Sequence, residues 1–383
     1  MAENLPQKRC SFNSDETPMY GIYVHIPFCV QKCSYCDFLS FENTDDGCKQ
    51  AYVDALLKEI ASVELPKIDT IYIGGGTPTA LPSFLLRQIL SGLPLQGDSP
   101  HRVSPAIEVT VEANPGTLSR EYLQELKNCG VNRLSLGLQT TKPHLLKAIN
   151  RLHSMEEFLE NYHAAREIGF DNINIDLMFA LPGQTLQDWQ KTLAEVIALA
   201  PEHISCYSLT LAEGTPLYDV FSDKGDHMLP DDKTDRAMYH MAQEILKAAG
   251  YKHYELSNFA KPGYKSRHNV SCWRRVPYRG FGLGAASFDG AKRWSNTSDM
   301  AAYVNGENEP QDVEILTQAD HEAETMILGL RLLDGIAEVD VPQKFCDIVA
   351  EQIKKGLLAH DSGNVRLTAQ GLDLANQVFM EFV

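Results

Sequence analysis

The chain has no uninterrupted apolar run near the ~20 residues that a membrane-spanning helix requires. Positive charge is scarce: 34 Lys and Arg stand against 51 Asp and Glu, a formal net charge of −17. That field argues against binding nucleic acid or anionic lipid. Residues 1–19 lack the apolar stretch of a signal peptide and read as a flexible lead-in. The one long glycine run is not followed by G-K-[ST] and does not fit G-x-G-x-x-G, which excludes a Walker A loop and a dinucleotide fingerprint there. The nine cysteines are odd in number and scattered over 383 residues, so a secreted disulfide framework does not fit. These absences leave an acidic, cytoplasmic protein of enzyme size.

Three of those cysteines fall in one short loop, Cys29, Cys33 and Cys36 in HIPFCVQKCSYCDF, after the β-prone stretch Gly21–Ile26. Structural zinc usually takes four ligands as two close pairs. His25 precedes the triplet from a strand position that points awkwardly for the same metal, and neither Cys10 nor Cys48 supplies a second C-x-x-C. An iron–sulfur cube usually takes four cysteines. With three, one iron is left for another ligand, and chemistry becomes available there.

From residue 20 to about 250, β-like runs alternate with segments of helical period. The runs are 22–26, 70–73, 107–111, 133–138, 173–178 and 204–209. In 52–63, Tyr52, Leu56, Ile60 and Val63 recur at helical spacing. A repeated βα order predicts a parallel sheet with helices outside it. Six units fall short of eight, so the expected fold is α/β, a partial (β/α)6 TIM-like barrel over 20–250. An open doubly wound sheet is the alternative. Residues 251–310 are expected to close the barrel, and 311–383 to form a small helical or winged-helix-like domain.

The ends of the β-like runs carry the cysteine loop, then Gly74-Gly75-Gly76-Thr77-Pro78, Glu112, Gln139 and Asp176. Reactive groups of α/β barrels gather at the C-terminal strand ends. Each residue also has a plainer reading: Glu112 near a helix N-terminus, Asp176 paired with Arg133 or Arg151, the glycines a simple turn. Their coincidence points to one shared pocket.

These residues resemble the radical S-adenosylmethionine (SAM) superfamily, and more narrowly the oxygen-independent coproporphyrinogen III oxidase-like family. The resemblance runs through Tyr23-x-His25-Ile-Pro-Phe-Cys29, Gly74–Pro78, Gly130-Val-Asn-Arg133, Gly137-Leu-Gln139, Asn150-Arg151, Asn174-Ile-Asp176 and Leu181-Pro-Gly183 to Arg366-Leu-Thr368, nearly the whole chain. It implies that Cys29, Cys33 and Cys36 hold a [4Fe–4S] cluster whose fourth iron takes SAM, and that an electron from the cluster cleaves SAM to methionine and a 5′-deoxyadenosyl radical. It further implies contacts to the cluster-bound SAM from Tyr23, Gly75 and Glu112. Tyr35, Gly76, Thr77, Gln139, Arg151 and Asp176 would surround a second SAM or a nearby substrate.

The chain departs from the oxidases in two features. They carry another cysteine two residues after the triplet, where this chain has Phe38, and a longer N-terminal extension than the nineteen residues before Tyr20. Both features resemble the haem chaperone branch of the family. That branch carries H-N-x-x-Y-W, and here the run is His268-Asn-Val-Ser-Cys272-Trp273. Imidazole and thiolate are both axial ligands of haem iron, so His268 and Cys272 are the candidate haem contacts. A loop histidine bonded to its neighbours is the plainer reading of His268. From residue 311 onward thirteen acidic residues face five basic ones, which makes the C-terminal unit a lid or docking face and not a DNA binder.

The function expected from the resemblance is a haem chaperone that binds haem and a SAM-ligated cluster and delivers haem to respiratory haem proteins. The alternatives are coproporphyrinogen III decarboxylation and another radical SAM modification of haem. Implied partners are haem or a porphyrin, recipient haem proteins and an electron donor such as a flavodoxin-like protein. A homodimer would suit both cluster access and haem exchange.

Overall fold

The computed structural model describes residues 20–94, 107–221 and 229–383; the lead-in expected over 1–19, Cys10 included, lies outside them. Six strands run β1 (Gly21–Ile26), β2 (Thr70–Gly75), β3 (Glu108–Ala113), β4 (Arg133–Gln139), β5 (Ile173–Phe179) and β6 (His203–Ser208). Each pairs in parallel with the next, in chain order. A doubly wound sheet would reverse its strand order partway across. The unbroken order β1 to β6 is that of a barrel wound in one direction, and the alternative falls.

Alternation along each strand divides the sheet into two faces. Ile22, Val24, Ile71, Ile73, Val109, Val111, Leu134, Leu136, Ile173, Ile175 and Ile204 pack into one core with Tyr52, Leu56, Leu86, Leu123, Phe158 and Trp189 of the helices. Asp45, Ser119, Ser154, Thr185 and Asp231 cap crossover helices by accepting from backbone N–H groups. The other face is polar. Register sets Tyr23, Tyr72, Thr110 and Arg133 side by side across β1–β4, and Arg133 is only 2% exposed.

Residues 251–310 supply strands to both ends of this sheet. β7 (Lys252–Glu255) and β8 (Asn258–Ala260) extend it beyond β6, while β9 (Tyr278–Phe281), β10 (Ala286–Phe288) and β11 (Lys292–Ser295) extend it beyond β1. A further strand, β12 (Gln311–Ile315), pairs with β11. Residues 311–315, assigned from sequence to the C-terminal unit, therefore belong to the main sheet. β7 and β12 stand at its two edges, so the barrel is open.

The C-terminal unit has its own core, built on Met326, Leu330, Phe345, Val349, Leu358, Val365 and Phe379. It combines the helices Gln318–Gly329 and Cys346–Lys354 with a three-stranded antiparallel sheet, a winged-helix-like arrangement. Among the described residues no helix is long and apolar enough to cross a membrane.

Candidate active site

The cysteine loop leaves the C-terminal end of β1 and is closed at its base. Cys29 N–H donates to the Phe41 carbonyl at 2.9 Å, and Phe41 N–H to the Pro27 carbonyl at 2.8 Å. Cys33 is buried, and Cys29 and Cys36 are half-buried. Burial, then the backbone N–H near Phe38 acting the other way, and the other two sulfurs set the Cys36 thiol, whose pKa is raised.

His25, weighed as a fourth metal ligand, has both ring nitrogens engaged: Nδ1 with the Tyr23 hydroxyl at 2.9 Å and Nε2 with the Leu39 carbonyl at 2.8 Å. Nε2–H therefore donates to the carbonyl and Nδ1 accepts from tyrosine. This histidine braces the loop. Among the described residues, no three His, Cys, Asp or Glu side chains converge on a single ion position.

The three glycines at the end of β2 answer three separate close approaches. A Cβ on Gly74 would meet Glu112 Oε2 at 2.9 Å, and one on Gly76 would meet the Phe28 carbonyl at 2.8 Å and Cys29 Sγ at 3.0 Å. Gly75 has φ of +114° and lies against the His25 ring, a conformation glycine adopts at no steric cost. Thr77 is buried; its hydroxyl lies 3.7 Å from Cys29 Sγ and accepts from Asn114 Nδ2 at 2.8 Å. This backbone-lined cradle next to the thiols fits a cluster and its small ligand.

Glu112, on the polar face of β3, accepts from the Tyr72 hydroxyl at 2.6 Å and from Gly75 N–H at 3.3 Å. Loss of hydration raises its carboxyl to about 7, with the Tyr72 hydrogen bond acting in the opposite direction. A carboxylate so poised gains most from a cationic partner such as an ammonium group. Tyr23 stacks on Tyr72, centroids 6.4 Å apart. Tyr72 was not singled out from sequence, although the alternation Thr70-Ile71-Tyr72-Ile73 sets it opposite the two isoleucines.

Arg151 crosses from the other side. It donates to Cys33 Sγ at 3.5 Å, to Asn114 Oδ1 at 3.0 Å and to the Gly137 carbonyl. Tyr35 packs beside Leu145, Ile149 and Leu181, and burial raises its phenol. Gln139 ends β4 with φ of +68°, at a register shift against β5. Asp176 accepts from Ser135 Oγ at 3.0 Å and Asn174 Nδ2 at 2.8 Å, so its hydrogen bonds are not the arginine pair of its plainer reading. Asn174 continues the network to His203 Nδ1 at 2.6 Å.

The two candidate haem contacts stand apart from the cysteine loop. His268 is on the short helix Arg267–Trp273 at the opposite end of β2, 7% exposed, with Nδ1 3.0 Å from the Thr70 hydroxyl. Its ring stacks on Tyr72, and the Glu108 carboxylate accepts from the backbone N–H groups of Arg267 and His268, both at 3.1 Å. Burial, helped by Arg133, pushes the imidazole down to about 4, and burial pushes the Cys272 thiol up to about 12. The plainer reading of His268, a residue bonded to its neighbours, describes its present position. His153, also unmarked in the sequence, is buried near Arg151; burial and that guanidinium push it down to about 4.

The Radical SAM superfamily model matches residues 23–196, and the HemN C-terminal domain matches residues 316–374. Heme chaperone HemW of Bacillus subtilis is 36% identical over 95% of this chain and 99% of its own length. The protein of that name from Lactococcus lactis is 36% identical over 94% and 96%. Among solved structures, coproporphyrinogen III oxidase (HemN) from Escherichia coli superposes with a TM-score of 0.80 at 24% identity, covering 96% of this chain and 90% of that one. Its likeness concerns the fold. The full-length identity to the chaperones goes further: the chain belongs to the HemW family, within the radical SAM superfamily.

Proposed function

We propose that this protein is a cytoplasmic haem chaperone that binds haem and passes it to respiratory haem proteins, using a SAM-ligated [4Fe–4S] cluster. The observation that carries the reading is identity of 36% to Heme chaperone HemW along nearly the whole of both chains. Phe38, 60% exposed where the oxidases have cysteine, supports it. Cys29, Cys33 and Cys36 would hold the cluster, which supplies an electron to SAM when one is bound. Tyr23, Gly75 and Glu112 would seat that SAM, with Tyr35, Gly76, Thr77, Gln139, Arg151 and Asp176 lining the space beside it. The cluster would draw its electron from a flavodoxin-like donor, and two copies of the chain would exchange haem as a dimer.

Haem would be held at the helix Arg267–Trp273. Since Nδ1 of His268 is held by Thr70, ligation falls to Nε2 and requires the helix to shift from Glu108. Cys272 would ligate only after giving up its proton. The Tyr72 side chain touches both His268 and Glu112, so SAM at Glu112 would bias that shift through its different affinity for the two positions.

The experiment is anaerobic turnover of coproporphyrinogen III by protein with a full cluster, SAM and a strong reductant, beside haem titration of the same sample. Haem binding without protoporphyrinogen formation is the expected result. Robust conversion would overturn the chaperone reading.

A further inference from the structure

At the end of the barrel away from the cysteine loop, β1 begins at Gly21, β2 at Thr70, β3 at Glu108 and β4 at Arg133. The helix Arg267–Trp273 lies over the first three. A Cβ on Gly21 would meet His268 Cε1 at 3.5 Å, His268 Nδ1 is 3.0 Å from the Thr70 hydroxyl, and Glu108 accepts from the N–H groups of Arg267 and His268. Arg133 is the next group along this rim and just inside it, paired in register with Thr110, two residues in from Glu108.

Arg133 differs from its charged neighbours on the inner face. Glu112 is held by Tyr72 and Gly75, Asp176 by Ser135 and Asn174, and Glu108 by the helix. The Arg133 guanidinium, in a residue only 2% exposed, makes no ion pair or hydrogen bond among the described residues, and its Nε is sealed without a partner. A buried charge left unpaired is costly, so a counter-ion is missing. Its charge acts on Tyr72, His203, Tyr254 and His268 around it and, least of the influences there, on Glu112. A guanidinium suits a carboxylate, which its two terminal nitrogens can grip with parallel N–H bonds.

We propose that Arg133 takes a propionate carboxylate of haem when the helix Arg267–Trp273 lifts to let His268 ligate the iron. The proposal rests on the haem-chaperone reading above. The shift that frees His268 Nε2 also withdraws the helix from this rim. The porphyrin ring then stays outside the barrel, and only the slender propionate arm, two methylene groups and a carboxylate, passes the rim. Iron at His268 and carboxylate at Arg133 make a two-point grip that a propionate ester cannot complete.

The test titrates full-length protein, its cluster reconstituted anaerobically, with haem and with haem dimethyl ester in the same dilute detergent, read at the Soret band. The wild type is expected to bind haem at least tenfold more tightly than the ester, and Arg133→Met to bind the two within twofold of each other. Both ligands are measured on each protein, so a general loss of stability cancels. Should Arg133→Met fail to fold, Arg133→Lys replaces it, and its preference is expected to fall at least threefold because an ammonium group cannot form the paired bonds. A wild type that binds both ligands alike, as it would if Arg133 turned instead to the freed Glu108, overturns the proposal and leaves haem binding standing. So does a variant that keeps the full preference. A wild type that binds neither ligand would instead bring down the function on which the proposal rests.

Discussion

The imidazole of His268 lies against the ring of Tyr72 with centroids 5.1 Å apart and planes tilted by 27°. The Tyr72 hydroxyl, at the far end of that ring, donates to Glu112 at 2.6 Å. One tyrosine thus joins the helix carrying the candidate haem contacts to the carboxylate at the cysteine-loop end of the barrel.

Replacing Tyr72 with phenylalanine keeps the stack and removes the hydrogen bond. That bond holds the Glu112 carboxyl down; without the roughly 1.5–3 kcal/mol it gives the ionised form the group stays protonated to a higher pH, so SAM affinity at pH 7.5 should fall by about tenfold. Cluster content should not change. Dialysis against labelled SAM, with iron and sulfide counted per chain, checks both. The same variant should lose any dependence of haem affinity on SAM.

SAM binding should also depend on pH through Glu112. Its carboxyl is raised to about 7, and the ammonium group of SAM is attracted to the ionised form. Affinity should therefore weaken as pH falls below about 7, approaching tenfold per unit. Glu112→Gln should bind weakly at every pH, with this slope gone. A wild-type slope retained in that variant would assign the titration to another group.

His268→Ala should be less stable than the wild type by about 1–3 kcal/mol, from the lost Thr70 hydrogen bond and the lost stack. The neutral imidazole also has a pH signature. Its folded value of about 4 lies below the ordinary 6.5, so the stability it confers is complete above 6.5 and is lost as pH falls toward 4. Urea unfolding at pH 7.5 and pH 5 should show a smaller gap between variant and wild type at the lower pH. Haem spectra of the two proteins need comparing at a temperature where both are folded.

Gly76→Ala tests the cradle. A methyl group there meets the Phe28 carbonyl at 2.8 Å and Cys29 Sγ at 3.0 Å, so the loop must move. Iron and sulfide per chain should drop by at least half after reconstitution, with little change in melting temperature. Gly183→Ala, with nothing within 4 Å of its added Cβ but a φ of +75° that strains an alanine, should lower the melting temperature and leave the cluster intact, which separates backbone strain from displacement of the loop.

The strands were legible because each carries alternating or β-branched residues bounded by turn signals, and the cysteine loop stood out by its spacing alone. The plainer reading of Asp176, a pair with Arg133 or Arg151, is not what its hydrogen bonds show, because sequence spacing alone does not give cross-strand register. Its actual partners, Ser135 and Asn174, sit on its own sheet face. Tyr72 was legible in principle from the alternation of β2. His153 was not: it lies in a loop, and only the folded chain buries it near Arg151. The flanking strands β7 to β12 are three to five residues long, too short for periodicity to declare them.

The two-faced sheet has a bearing on how such a protein can change. Helix packing and most of the apolar burial rest on Ile22, Val24, Ile71, Val109, Leu134 and their like, while Tyr23, Thr110, Arg133 and Ser135 occupy the alternate positions. A substitution at one set is one residue away along the chain yet on the far side of the backbone from the other. The inner set can therefore be rewritten for a new ligand with the outer scaffold untouched, and the cysteine where this chain has Phe38 can come and go as a local edit. Related chains can share an architecture and divide between catalysis and cargo carrying without crossing an unfolded intermediate.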